Sequence, residues 1–282
     1  MQNTREIIQK HNIRLTKSLG QNFLNDDNIV KKIVDSADIT KDDVVIEVGP
    51  GIGTMTSELA KRSKKVIAIE IDRYLISALK DNLSSFSNVE ILNMDIMKTD
   101  IKTLISDEKA SNIKVVANLP YYITTSIIMK FLEEDTKVDM MVFMIQKEVA
   151  QRIAASPGGK EYGALSVAVQ YYSKSKKVFD VSPHCFIPKP DVDSTVIKLV
   201  INKEPPVELL DKAMFFKTVR CSFAQRRKTL INALYNAGEF NKSKEQIKKL
   251  LKIIEVDENA RGETLSIQQF AMLANLLFEN SP

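Results

Sequence analysis

The stretch Val44-Val45-Ile46-Glu47-Val48-Gly49-Pro50-Gly51-Ile52-Gly53 decides the fold. Val44, Val45, Ile46 and Val48 form a near-continuous β-branched run, the pattern of a strand covered on both faces rather than one with a wet side. Glycines at 49, 51 and 53 then open a tight turn, and Thr54–Arg62 follows with amphipathic helical spacing. A strand, a glycine turn and a helix in this order form the opening unit of a parallel α/β sheet. The helix N-terminus beyond the glycines offers unpaired N–H groups to an anion.

The alternation continues outward from this unit. Strands are expected at Val66–Glu70, Val89–Leu92, Val115–Ala117, Met140–Ile145, Lys177–Val181 and Thr195–Ile201. A helix carrying Leu75, Ile76 and Leu79 and another around Leu165–Tyr172 lie between them. Upstream, Ile29, Val30, Ile33, Val34 and Ala37 recur at helical spacing, with Asp26 or Asp27 as cap. The fold class is α/β, a Rossmann-like sheet. After Pro205-Pro206 everything reads as helix, with apolar faces at Phe215, Val219, Leu230, Leu234, Leu250, Phe270 and Leu277 and a capping box from Ser266 to Gln269. Residues 1–24 form a basic arm in which Arg5, Lys10, Arg14 and Lys17 face the single acid Glu6. The expected organisation is an arm (1–24), an α/β domain (25–204) and a smaller all-helical domain (205–282).

With 44% hydrophobic and 27% charged residues in 282, the chain can bury a core and is neither disordered nor low-complexity. The net charge of +4 decides nothing about partners, because only the placement of charge does. Cys185 and Cys221 lack CxxC spacing, which excludes disulfide-rich and zinc-ribbon classes and favours a reducing compartment. Neither a signal peptide nor an apolar run of roughly 18 residues is seen, so a cytoplasmic protein without a membrane partner is expected.

The strand ends carry the chemistry. Glu70 closes the second strand about twenty residues after the glycine turn, where an acid accepts ribose hydroxyls. Asp95 follows the third strand, placed to take an adenine amino group, and Ile71 and Ile96 would flank the base. Together these residues describe a nucleoside site. Thr54 stands where a dinucleotide fingerprint has its third glycine, so S-adenosylmethionine fits better than NAD, with an NAD-dependent oxidoreductase as the alternative.

Asn118-Leu119-Pro120-Tyr121, at the end of the fourth strand, has the form of the motif found in amino-group methyltransferases acting on nucleobases. An exocyclic adenine amine is a poor nucleophile because its lone pair is delocalised into the ring. Acceptors from the Asn118 side chain and the Leu119 carbonyl would favour a pyramidal nitrogen and stabilise the positive charge that builds on it. Pro120 holds Leu119 extended, and Tyr121 offers its face to the base and the cationic transition state. No catalytic His or Cys is needed, and His11 and His184 lack metal-ligand spacing, so no metal is expected.

Over essentially its whole length the chain resembles the rRNA adenine N6-dimethyltransferase family, most of all its bacterial branch acting on 16S rRNA. The matching stretches are Lys17–Leu24, Glu47–Thr56, the Glu70 and Asp95 strand ends, Asn118–Ile123, Phe186–Ser194 and Arg220–Leu230. The resemblance implies an S-adenosylmethionine-dependent methyltransferase domain in which Asn22 and Leu24 close over the cofactor together with Gly49, Gly51, Glu70, Asp95 and Asn118. It also implies that Phe186 joins Tyr121 in clamping the target base. The implied reaction methylates N6 of two adjacent adenosines near the 3′ end of 16S rRNA, twice each, within the small ribosomal subunit or its precursor. Lys217, Arg220, Arg226, Arg227 and Lys228, with the aromatic Phe223 among them and no acid between them, form an RNA-binding surface in this reading, and Arg14 and Lys17 repeat the pattern in the arm. A monomer suffices for such a substrate. The competing readings are an Erm-type 23S rRNA methyltransferase and a non-catalytic ribosome-assembly factor.

Overall fold

The apolar runs become strands buried on both faces. The computed structural model describes residues 4–11, 13, 20–106, 108, 112–134 and 136–280. In chain order the elements are α1 (Thr4–Lys10), β1 (Phe23–Leu24), α2 (Asp27–Ser36), β2 (Asp43–Val48), α3 (Thr54–Arg62), β3 (Lys65–Glu70), α4 (Ile76–Asn82), β4 (Val89–Asn93), α5 (Ile101–Ile105), β5 (Asn112–Asn118) and α6 (Thr124–Glu133). They continue with β6 (Val138–Gln146), α7 (Lys147–Ile153), α8 (Ala164–Tyr172), β7 (Ser173–Val181), β8 (Phe186–Ile187), β9 (Ser194–Ile201), α9 (Lys212–Ala224), α10 (Leu230–Ala237), α11 (Lys244–Ile253) and α12 (Ile267–Glu279).

The main sheet has the order β4-β3-β2-β5-β6-β9-β7. It is parallel from β4 to β6, and β9 is antiparallel to β6. All six residues of β2 are buried, including Asp43, whose carboxylate meets Lys114 Nζ at 2.8 Å. The chain runs outward from β2 through β3 to β4, then returns to place β5 on the other side of β2. Strand order therefore reverses between β2 and β5, and open α/β sheets bind ligands beyond the carboxyl ends of the strands at such a point. Asp26 caps α2, accepting from the Asn28 and Ile29 N–H groups.

A second, two-stranded sheet was not expected. β1 pairs antiparallel with β8, matching Phe23 with Ile187 and Leu24 with Phe186. Strands of two residues have no periodicity to read.

The chain divides into two compact units. One holds the residues up to Ala150 together with Ser175–Ile201, and the other holds Gln151–Lys174 together with Asn202 onward. The cut after β9 falls near the expected one at 204/205, but residues 151–174, expected within the α/β domain, belong with the helical unit. The cause is packing. α8 buries Val167 and Tyr171 in the same core as Phe215, Leu234, Leu251 and Phe270, and the Tyr171 ring lies 5.4 Å from that of Phe215. In this unit Ser266 and Gln269 form the expected capping box, and Ser243 with Gln246 forms another. Among the described residues, no helix is long and apolar enough to cross a membrane.

Candidate active site

Four consecutive parallel strands deliver the site from their carboxyl ends. β2 runs into Gly49, Glu70 ends β3, Asp95 lies two residues beyond β4, and Asn118 ends β5. These residues, with Asn22, Leu24, Gly51, Leu119 and Tyr121, line one open cavity.

The glycines divide their work. Gly49 has φ +69°, and a Cβ there would meet nothing within 4 Å, so its backbone faces open space. Gly51 has φ +60°, but a Cβ on it would come within 2.8 Å of Phe23 Cε1. Its missing side chain makes room for the Phe23 ring of the N-terminal segment, while Gly51 itself lines the cavity. At the head of α3, Gly53 brings no side-chain acceptor to the first turn, so the N–H groups there keep their capacity for an anion.

Glu70 is buried, with Oε2 accepting from Gly51 N at 3.1 Å and Oε1 from Asp72 N at 2.8 Å. Burial pushes its carboxyl upward, and these backbone donors oppose the rise. Asp95 caps the single 3-10 turn Ile96–Lys98, its Oδ1 accepting from Met97 N at 2.9 Å and its Oδ2 lying 3.9 Å from Lys98 Nζ. Its expected site position and an ordinary capping role coincide.

Glu47 is a further acid of the site, with no counterpart among the expected site residues. It lines the same cavity at 1% exposure, and its Oε2 has no hydrogen-bond partner among the described residues. Burial pushes its carboxyl up to about 8, opposed by the nearby Thr56 hydroxyl and reinforced by the neighbouring Glu70 carboxylate. The available signal was an acid between the apolar residues Ile46 and Val48.

The Asn118 side chain is oriented by a tether. Its Nδ2 donates to the Asn22 backbone carbonyl at 3.0 Å, which leaves Oδ1 as the acceptor. Leu119 N donates to Met144 O at 3.1 Å, and the Pro120 carbonyl accepts from Ile123 N and Thr124 Oγ1, closing the turn into α6. The half-buried Tyr121 is fixed through its hydroxyl, 2.7 Å from Oγ of the buried Ser194. Ser194 is a positioning group that the sequence did not single out.

Phe186 stands apart. At 4% exposure it packs in the core with Leu24, Val30, Val181 and Val196 and does not line the cavity. Its strand pairs with Leu24 of the N-terminal segment, which shares the same apolar cluster, and the base-clamping role rests on the resemblance alone. Arg14 and Lys17 lie outside the described residues.

In the helical unit, Arg220, Arg227 and Lys228 are exposed. Arg226 is engaged, donating to the carbonyls of Lys160 at 2.8 Å and Tyr162 at 3.1 Å, with Glu263 at 3.4 Å, and Lys217 lies 3.9 Å from Glu239. The run of five cations is therefore not five equivalent phosphate ligands. Both cysteines are free thiols, and among the described residues no group of three or more His, Cys, Asp or Glu is placed to hold a metal.

Comparison with known proteins agrees with this geometry. The chain is 54% identical over 275 residues to the ribosomal RNA small subunit methyltransferase A of Clostridioides difficile (strain 630), covering 97% of this chain and 94% of that one. It is 51% identical over 277 residues to the protein of the same name from Geobacillus sp. (strain WCH70), covering 97% and 95%. Among solved structures, a dimethyladenosine transferase from Plasmodium falciparum matches with a TM-score of 0.75 at 29% identity, over 89% of this chain and 95% of that one. The 23S rRNA methyltransferase ErmE matches with a TM-score of 0.67 at 26% identity, over 91% and 99%. The family model described as ribosomal RNA adenine dimethylase matches residues 12–278, the span that contains both the strand-end cavity and the Asn118–Tyr121 turn, and the chain belongs to that family.

Proposed function

We propose that the protein transfers methyl groups from S-adenosylmethionine to N6 of two adjacent adenosines in the loop near the 3′ end of 16S rRNA, within the small ribosomal subunit or its precursor. The observation that carries this reading is the tether of Asn118, whose Nδ2 is taken by the Asn22 carbonyl so that Oδ1 is left as an acceptor on a residue that lines the cavity together with Leu119. The choice of 16S over 23S rRNA rests on relatives about half identical over nearly the whole chain whose names specify the small subunit.

The residues present fit the cofactor. Gly49 leaves open space at its backbone and the first turn of α3 has uncapped N–H groups, an arrangement suited to a carboxylate and worth roughly 0.3–1 kcal/mol from the helix dipole. Glu70 retains lone pairs for ribose hydroxyls, Asp95 Oδ2 suits an adenine amine, and Asn22 and Leu24 close the site from the N-terminal segment. When bound, the cofactor supplies an electrophilic methyl group on a sulfonium.

The protein's part is to prepare the amine. Asn118 Oδ1 and the Leu119 carbonyl accept the two N–H bonds of N6, which turns the nitrogen lone pair out of conjugation. The same acceptors stabilise the charge that grows on nitrogen, and the proton leaves to solvent after transfer. Tyr121, locked by Ser194, presents an aromatic face to that charge. After one methylation the amine still carries an N–H, so rotation re-presents it for a second transfer.

Asn118→Ala lowers kcat by about 10²–10³-fold, the typical cost of one preorganised charge-stabilising group, while small-subunit binding persists. The measurement is labelled methyl incorporation into unmethylated small subunits and into protein-free 23S rRNA, alongside filter binding. Labelling of 23S rRNA alone by the wild-type protein, or normal rates in the variant, would overturn the reading.

A further inference from the structure

Tyr121 and Tyr122 are adjacent in sequence and opposite in fate. Tyr121 is half-buried and bonded to Ser194, whereas Tyr122 also lines the cavity but is 60% exposed. The turn that separates them is fixed by the Pro120 carbonyl, which takes both Ile123 N at 3.3 Å and Thr124 Oγ1 at 2.9 Å. The Tyr122 ring has a neighbour in the N-terminal segment. It lies against Gly20, whose φ is +59° and where an added Cβ would stand 3.3 Å from Tyr122 Cδ1 and 3.8 Å from Pro120 Cβ. A large aromatic residue thus lines the cavity with most of its surface uncovered.

This inference rests on the proposed function, in which the target base enters the cavity from a polynucleotide. Drawing one base out of a stack strips its covalent neighbour of a stacking partner and leaves that neighbour at the mouth. We propose that Tyr122 is a positioning residue that stacks this adjoining base while its neighbour is methylated beside Asn118. Stacking uses the π-face and needs no N–H group, so the same ring receives the adjoining adenine before or after its own methylation. That property suits a substrate whose two targets are neighbours, because the first product does not block the second reaction.

The test uses the full chain, unmethylated small subunits, and a synthetic RNA loop in which the adenosine beside the target is replaced by 2-aminopurine, whose fluorescence falls on stacking. Wild-type protein quenches the probe. Tyr122→Ala abolishes the quench and raises KM for small subunits by about ten-fold, within the range for removing one base–aromatic stack, with kcat and cofactor affinity near wild type. Tyr122→Phe restores both the quench and KM. An alanine variant with unchanged quench and KM overturns the proposal. So does one whose kcat and cofactor affinity fall with KM unchanged, since the ring would then only prop the Asn118 turn. Failure of the wild-type protein to methylate small subunits overturns the parent reading, and this one with it.

Discussion

The cavity at the strand ends and the basic turn at Arg226–Lys228 both depend on charge, but solvent treats them in opposite ways. Glu47 and Glu70 are buried within one cavity, at 1% and 4% exposure, and their carboxyls are pushed upward mainly by burial. Arg227 and Lys228 stand in water. Desolvated charge is sensitive to protonation and to the loss of single partners, whereas exposed charge is screened over about 8 Å at physiological ionic strength and acts by number. Changes in the cavity should therefore respond to pH and be large, and changes in the turn should respond to salt and be small.

The sharpest way to break this contrast is Glu70→Ala. It removes the acceptor for Gly51 N and Asp72 N as well as the expected partner of the ribose hydroxyls. With hydrogen bonds to a charged group each worth about 1.5–3 kcal/mol, cofactor affinity should fall by roughly 10²-fold, with little change between low and high salt. Calorimetry with S-adenosylmethionine at two ionic strengths measures both. A strongly salt-dependent loss would place Glu70 with the exposed charges.

Glu47→Gln tests the pH side. Below the ordinary carboxylate range Glu47 is neutral whether the chain is folded or not. Between that range and its folded value of about 8, unfolding lets it ionise, so its contribution to stability is lost as pH rises. The loss is at most ~1.4 kcal/mol per pH unit for one group. The wild-type protein without cofactor should lose stability between weakly acidic and weakly basic pH, and the glutamine variant should show a flatter profile by chemical denaturation. Identical slopes would mean that Glu47 is not held protonated.

Much of this was legible in sequence, for a definite reason. β-branched runs and 3.6-residue spacing are local signals, so the strand ends carrying Glu70, Asp95 and Asn118 and the span of α3 (Thr54–Arg62) are as expected. What escaped was long-range. Tyr121 meets Ser194 across 73 residues, and Leu24 pairs with Phe186 through a two-residue strand. Gly51 makes room for Phe23, and α8 joins a core formed mostly by residues after 202. None of these pairings leaves a periodicity. The burial of Phe186 escaped for the same reason, since an aromatic in a proline-bearing loop gives no sign of which side it faces.

Within the basic turn itself the contrast sharpens to neighbouring residues. Arg226 spends its guanidinium on the carbonyls of Lys160 and Tyr162 and lies near Glu263, so it ties the 160–162 segment to the turn. Its side chain is 49% exposed, which discounts the stabilisation to about 1 kcal/mol. Arg226→Ala should lower the denaturation midpoint while leaving the salt dependence of rRNA binding nearly unchanged. Arg227→Ala and Lys228→Ala should do the reverse, leaving stability unaltered and reducing the slope of log K against log salt by roughly 0.7–0.9 for each phosphate no longer neutralised. If all three variants reduce the slope equally, the run acts as one phosphate-binding surface after all, and the bonds that Arg226 makes here give way when RNA is bound.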